Sequence, residues 1–365
     1  MTVVDSIAWL TVGIWIYLIL GRGFFWLFRE PQPVATDSLR EKSVAVIIPA
    51  RDEAAVIGRA IASLATQDFP GPLRIFLVDD HSTDGTGEIA ARDGVTILPA
   101  PALPSRWSGK VWAMQQGVLA AEAAGPFDYY LFTDADIVHA PSSVSQLVAR
   151  AESGGYDIVS LMVELAQNSW AERALIPAFV FFFFLLYPPA WGAGAAGGCL
   201  LIRPGALRRA GGLERIKGEL IDDCSLAREV RKSGGRIFLA PTRSNKSIRE
   251  YATFGEIGAM ISRTAFTQLR YSWLILAGSL AGLALVYLAP PILAATGHLG
   301  GWIAWALMAI AYSSALRFYG RSLLWAPLLP MVALFYMGAT IDSAIRHARG
   351  RGGQWKGRTE TSRSV

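Results

Sequence analysis

Acidic side chains stand close together at several points of this sequence, and neighbouring buried carboxylates are costly unless a cation or a ligand's donors meet them. Phe132-Thr133-Asp134-Ala135-Asp136 places two of them one residue apart, directly after an apolar run. A turn at the end of a buried strand would let both carboxylates approach one hard cation. Mg2+ and Mn2+ prefer such oxygen ligands, and phosphate oxygens can complete their shell. A metal held there would neutralise charge developing on a leaving diphosphate. The Asp-X-Asp tripeptide is common by chance, and its place at the end of an apolar run is what gives it weight.

Three further segments carry the same kind of chemistry. Val78-Asp79-Asp80-His81-Ser82-Thr83-Asp84-Gly85-Thr86 offers carboxylates that could accept hydrogen bonds from a ribose or a pyrimidine base. Ser82, Thr83 and Asp84 are also good helix caps, so a plain capped loop explains part of it. Ile48-Pro49-Ala50-Arg51-Asp52-Glu53 ends an apolar run and opens a helix, whose N-terminus favours an anion. Asp222 and Asp223 open another helix, with Leu226, Ala227 and Val230 on its buried face. That pair either complements the helix dipole or supplies a base that removes a hydroxyl proton. Cys224 between them reads as a small packing residue.

The elements that must position these groups are legible in outline. Val44–Ile48, Arg74–Val78, Val95–Leu98, Tyr129–Phe132 and Asp157–Val163 read as short strands alternating with helices. One of those helices sets Val56, Ala60, Ile61 and Leu64 on a common face. Unbroken apolar strands alternating with helices predict a mostly parallel sheet covered on both faces. Ligands then bind beyond the carboxyl ends of the strands, after Ile48, Val78 and Phe132. Gly192-Ala193-Gly194-Ala195-Ala196-Gly197 spells a dinucleotide fingerprint, but it precedes the strand Cys199–Ile202 instead of opening a helix, and is rejected. His81, His139, His298 and His347 have no partners at ligand spacing, and two cysteines without a C-x-x-C pair support neither disulfides nor thiolate zinc.

Charged residues make up 17% of the chain and hydrophobic ones 52%, with mean hydropathy +0.35. Soluble domains carry roughly 25% charged residues, so part of the chain belongs in lipid. The net charge of +5 sits beside apolar stretches, without interleaved aromatics, which speaks against nucleic acid. Ile7 to Phe28 is long enough to span a bilayer, and it lacks a basic leader and a cleavage site. Arg29, Arg40 and Lys42 follow it, so the N-terminus is expected outside and the rest in the cytosol. Three more apolar blocks follow: Trp273 to Ala295, Trp302 to Leu316 and Leu323 to Ile341. Three full crossings would strand the basic tail (Arg346, Arg349, Arg351, Lys356, Arg358) outside. One block must therefore be re-entrant or interfacial, or the charge rule fails here, with Pro290-Pro291 and the short middle block as candidates. The run Phe179 to Tyr187, bounded by Pro177 and Pro188-Pro189, is too short to span. It reads either as an interfacial segment admitting a lipid or as a buried helix.

PARDEA, VDDHSTDGT, SGKVWAMQQG, FTDAD and IDDCSL resemble, in order and spacing, the motifs of family 2 glycosyltransferases, which have the GT-A fold. With its anchor, C-terminal spans and closing WKGR, the whole chain resembles the hopene-associated glycosyltransferases of bacterial hopanoid biosynthesis, and more distantly ceramide glucosyltransferases. The resemblance implies that Ala50 and Glu53 border the nucleotide and that Asp80, with Asp79, holds uridine. It sets Gly109 and Lys110 beside the base or diphosphate. Asp134 and Asp136 become the metal pair, with Asp136 the firmer ligand, and Asp223 the catalytic base. Asp222 departs from the commoner glutamate. Thr267-Gln268-Leu269-Arg270-Tyr271 resembles the (Gln/Arg)-X-X-Arg-Trp element, with Thr267 failing its first position and Tyr271 replacing tryptophan. Arg270 would pair with diphosphate and Tyr271 stack under the acceptor; an interfacial arginine and aromatic before a span explain them equally.

The expected organisation is an anchor over 1–30, a linker over 31–43 and an α/β GT-A domain over 44–271 with an interfacial segment at 174–191. C-terminal membrane segments over 272–345 and a basic cytosolic tail over 346–365 follow. The expected activity is inverting transfer of a sugar from a nucleotide sugar, a UDP-sugar, to a membrane lipid, with Mg2+ or Mn2+, at the bacterial inner membrane. A polyprenyl-phosphate acceptor, a processive polysaccharide synthase and an inactive membrane scaffold are the alternatives.

Overall fold

The computed structural model describes residues 2–36, 39–192, 194–355 and 358–359; Lys356 of the basic tail lies outside the described residues. The chain forms two compact units. One comprises Glu30–Ala166, Gly192–Arg249 and Gln354–Val365; the other comprises Met1–Arg29, Gln167–Trp191 and Glu250–Gly353. The grouping differs from a continuous 44–271 domain, because 167–191 and 250–271 join the apolar helices.

The first unit is built on an eight-stranded sheet. Its strands are β1 (Val44–Ala50), β2 (Leu73–Asp79), β3 (Val95–Pro99), β4 (Tyr129–Thr133), β5 (Ile137–Val138), β6 (Ile158–Glu164), β7 (Cys199–Ile202) and β8 (Ile237–Ser247). They lie in the order β3-β2-β1-β4-β7-β6-β8-β5. Strands β1 to β4 pair in parallel, as do β6 and β8, while β7 runs antiparallel to both β4 and β6. All seven residues of β1 are buried. Its alternation sends Ala45 and Ile47 to one core with Val111, Met114 and Val118 of the helix Gly109–Ala124. Val44, Val46 and Ile48 face the other core with Ile57, Ile61 and Leu64 of the helix Ala54–Ala65. Each fully buried isoleucine or valine there is worth about 1.5–3 kcal/mol. On that helix Ile57 takes the buried place that the sequence gives to Val56, which is half-buried.

Register is what matters for function. Ala50 is level with Asp79, and Ile47 with Phe132, so the three parallel strands end nearly flush. Their polar continuations therefore emerge at one edge of the sheet.

In the second unit five segments are long and apolar enough to cross a membrane: Val3–Gly21, Trp170–Trp191, Trp273–Ala295, Leu299–Phe318 and Leu323–Ala348. The second corrects the sequence reading, because Pro177 lies inside the helix Trp170–Leu186 and does not bound it. Ser169 and Glu172 form a capping box that starts the helix early, and the buried Glu172 carboxylate also accepts from Tyr251 N at 2.6 Å. Proline there forfeits one helical bond, a tolerable loss in a well-packed segment.

The Pro290-Pro291 pair likewise does not turn the chain back. A π-turn at Ala284–Leu288 carries the helix through it, with Ala289 N bonded to Ala284 O. The carbonyl of Val286, which a residue at 290 would ordinarily satisfy, accepts from Trp15 Nε1 at 2.9 Å. Such rescue is how apolar helices keep proline. The middle block forms a full 20-residue helix, Leu299–Phe318. The return leg is instead the 3-10 segment Leu323–Leu328, which doubles back until Pro327 O accepts from Trp305 Nε1 at 3.0 Å. The helix Leu329–Ala348 then ends with His347 against the Tyr271 ring, 5.0 Å between centroids. The C-terminal apolar block thus ends where it began.

Candidate functional site

Lys110, in the first turn of the helix Gly109–Ala124, organises the site. Its Nζ lies 2.9 Å from Asp134 Oδ1 and 3.4 Å from Asp222 Oδ2. Ser108 caps that helix through Val111 N, and its own N–H donates to Lys217 O at 2.6 Å, tying the helix start to the segment that leads into Asp222. Burial alone would lower the lysine's pKa. The carboxylates of Asp134, Asp222 and Asp223 outweigh that and hold it above the ordinary lysine value. A narrow crevice runs between Pro49, Thr133, Asp134, Gly197, Asp222 and Asp223.

Asp223 is held by backbone donors on both oxygens: Gly197 N to Oδ2 at 2.7 Å and Cys224 N to Oδ1 at 2.6 Å. Burial, and then the neighbouring Asp222, push its pKa up to about 6, against the opposing pull of Lys110 and the two N–H groups. The glycine-rich loop thus earns a specific role. At Gly197 a Cβ would stand 3.2 Å from Lys110 Nζ and 3.3 Å from Asp223 Oδ2, so the absence of a side chain keeps the crevice open.

Asp136 is buried, accepts from Ser247 Oγ at 2.5 Å, and has Arg249 Nε 3.6 Å from its Oδ2. Its pKa is raised, first by burial and then by Asp134, while Arg249 and Ser247 oppose the shift. The same Arg249 donates to Glu53, whose N–H is fixed by Thr86 Oγ1 at 2.8 Å. Ser247 and Arg249 escaped the sequence reading because β8 was not recognised. The apolar run Ile237-Phe238-Leu239-Ala240 was the available signal.

At the neighbouring strand tips, Asp80 N donates to Ala50 O at 2.8 Å, so Ala50 serves through its carbonyl. The Asp80 carboxylate is buried, 3.5 Å from Arg51 Nη1 and 3.2 Å from His81 Nδ1. Asp79 uses Oδ1 to accept Ser82 N at 2.9 Å. Asp84 caps two elements, accepting Thr86 N at 3.0 Å and Ala54 N at 2.9 Å. His139 is buried between Thr133 and Ser143, and burial depresses its pKa to about 4, so it is a neutral internal hydrogen-bonding group. Arg270 and Tyr271 belong to the other unit and both adopt left-handed backbone, φ 54 and 58. There Tyr271 accepts from Thr267 Oγ1 at 3.2 Å and packs on Phe266 and His347.

Among the described residues no three histidine, cysteine or carboxylate side chains form a metal cluster. Two carboxylates near enough for Asp134 to raise the pKa of Asp136 still suit a hard cation, provided that a bound phosphate supplies further oxygens. The donor set fits a metal–nucleotide complex better than a bare ion.

Residues 45–211 match the family model described as Glycosyl transferase family 2. Asp222 and Asp223 lie beyond the matched stretch. Two 4,4'-diaponeurosporenoate glycosyltransferases of Staphylococcus aureus are similar over 110 residues: 33% identical in strain bovine RF122 / ET3-1 and 32% in strain USA300. In each case the similarity covers 30% of this chain and 28% of the relative's length. Among solved structures, the mannosyltransferase PcManGT from Pyrobaculum calidifontis, in complex with GDP-Man and Mn2+, superposes with TM-score 0.57 at 18% identity, over 95% of this chain and 99% of that one. The likeness shows the fold: a GT-A, Rossmann-like sheet accompanied by apolar helices.

Proposed function

We propose, from a family 2 glycosyltransferase domain as premise, that this chain transfers a hexosyl group from a UDP-sugar to a membrane lipid with inversion. The observation that carries the reading is the gathering of Asp134, Asp222 and Asp223 around one lysine, beside the buried Asp136. Catalysis of this kind needs acid groups for a diphosphate-bound cation and a separate carboxylate for the acceptor proton, and the two kinds stand side by side.

In this reading Asp80 and Glu53 border the nucleoside, and Asp134 and Asp136 would hold Mg2+ or Mn2+. The cation, when bound, would neutralise charge on the leaving diphosphate. Asp223 accepts the proton of the acceptor hydroxyl as oxygen attacks the anomeric carbon from the face opposite the diphosphate. Its two backbone hydrogen bonds fix the carboxylate without using a side chain that could itself take the proton. Asp222 holds Lys110, and Lys110 and Arg249 are cations available to diphosphate oxygens.

A lipid acceptor is supported by the five long apolar helices and by the name of the staphylococcal relative, 4,4'-diaponeurosporenoate glycosyltransferase. The resemblance of the whole chain makes a hopanoid the acceptor to test first. The domain would face the bacterial cytosol, where nucleotide sugars are made.

The decisive assay incubates purified protein with UDP-sugars and membrane lipid extract, reading UDP release and lipid mass. A hexose mass increment is expected on lipid, lost with chelator. Asp136→Ala and Asp223→Ala should each abolish turnover, and only the first should weaken metal-dependent UDP binding. Full turnover by Asp223→Ala would remove it from the base role.

A further inference from the structure

Lys110 is closer to the first carboxylate of the metal pair than a bystander needs to be. At 2.9 Å its ammonium makes a direct ion pair with Asp134 Oδ1. A divalent ion ligated by that oxygen would sit roughly 2.0–2.1 Å away, and two cations cannot share one oxygen at contact distance without strong repulsion. The two therefore compete for that oxygen.

We propose that Lys110 is an internal counter-cation that occupies Asp134 until a divalent cation enters, and then swings onto Asp222. Three observations support the swing. Asp222 Oδ2 already lies 3.4 Å from the ammonium, so the charge need not cross apolar space to find its second partner. Gly197 offers no side chain in the way, since even a Cβ there would come within 3.2 Å of Nζ. Lysine also carries its charge on a flexible four-carbon stem, unlike arginine's planar fork.

Arg249 makes the contrast. It sits 3.6 Å from Asp136 and is tied separately to Glu53, so it has no comparable need to move. Binding of the cation therefore competes with the Lys110–Asp134 ion pair, and a cation that arrives with a diphosphate gains ligands that a bare ion lacks. The donor complex is favoured over free metal. Asp222 becomes a positioning residue that receives the displaced charge. The inference rests on the proposed metal–nucleotide site but not on turnover.

The test uses full-length protein in detergent without nucleotide, with free Mn2+ read by electron paramagnetic resonance. Lys110→Met is expected to bind Mn2+ about tenfold more tightly than the wild type, the size of one modest ion pair removed. Lys110→Arg, which keeps the competing charge, should bind it no more tightly than the wild type. Equal or weaker Mn2+ binding by Lys110→Met, or tighter binding by Lys110→Arg, overturns the proposal. If Lys110→Met does not fold, Lys110→Gln, which keeps a polar head without the charge, is titrated in its place; it too should bind Mn2+ more tightly than the wild type, and equal or weaker binding overturns the proposal. A failure of the glycosyltransferase reading would appear differently, as no UDP release from any UDP-sugar while Mn2+ competition persists.

Discussion

Asp223 accepts two backbone hydrogen bonds, which favour its ionised form, and yet its pKa stands near 6. Burial and the adjacent Asp222 win because neither can be screened by water inside the crevice. The sign has a direct consequence for catalysis. A base works only when deprotonated, so kcat/KM for transfer should fall about tenfold per pH unit below about pH 6. An ordinary carboxylate would hold its rate down to about pH 4. A pH–rate profile on the purified enzyme checks this, and an acid limb placed near pH 4 would exclude Asp223 as the titrating base. Asp222→Asn removes the neighbouring charge and should move that limb to lower pH.

At the scale of elements, the helix Gly109–Ala124 carries Lys110 at one end and packs on β1 along its length. Its closest approach is at Gly117, where an added Cβ would overlap the Ile47 side chain. Ile47 is fully buried in the middle of the sheet and has no room to withdraw. Gly117→Ala should therefore destabilise the domain by about 1–3 kcal/mol, despite alanine's better helix propensity. Thermal unfolding of the variant against the wild type measures it. An unchanged or raised midpoint would show that the helix can lift off the sheet, and that Lys110 is positioned less tightly than the packing implies.

Over the whole molecule, the membrane argument turns on parity. The apolar block that starts after Tyr271 ends at His347, in contact with Tyr271, because Leu323–Leu328 runs back along the preceding helix. That path predicts an even number of crossings for this block, which would return the basic tail to the side of Arg29, as the distribution of positive charge asks. Single-cysteine labelling tests it, since Cys199 and Cys224 are buried. Thr2→Cys should react with an impermeant maleimide on intact cells. Arg92→Cys and Arg351→Cys should react only after permeabilisation. Labelling of Arg351→Cys from outside would restore three crossings.

The sequence by itself determined the parallel strands β1 to β4, their tips and the acidic residues that leave them, because buried strands write their identity as short apolar runs closed by polar turns. It also located every long apolar block that follows residue 271. Tertiary structure alone decided which charges meet. Ser247 at the end of β8 and Arg249 just beyond it reach Asp136 from more than 100 residues away in the chain, and Lys110 bridges Asp134 to Asp222. No local pattern encodes such pairings, since they depend on strand order. The prolines teach the same lesson. Pro177 and Pro290 read locally as breaks, whereas capping at Ser169 and a π-turn aided by the Trp15 indole let both helices continue. Whether a missing hydrogen bond stops a helix depends on what else can satisfy it, and that partner is often distant in sequence.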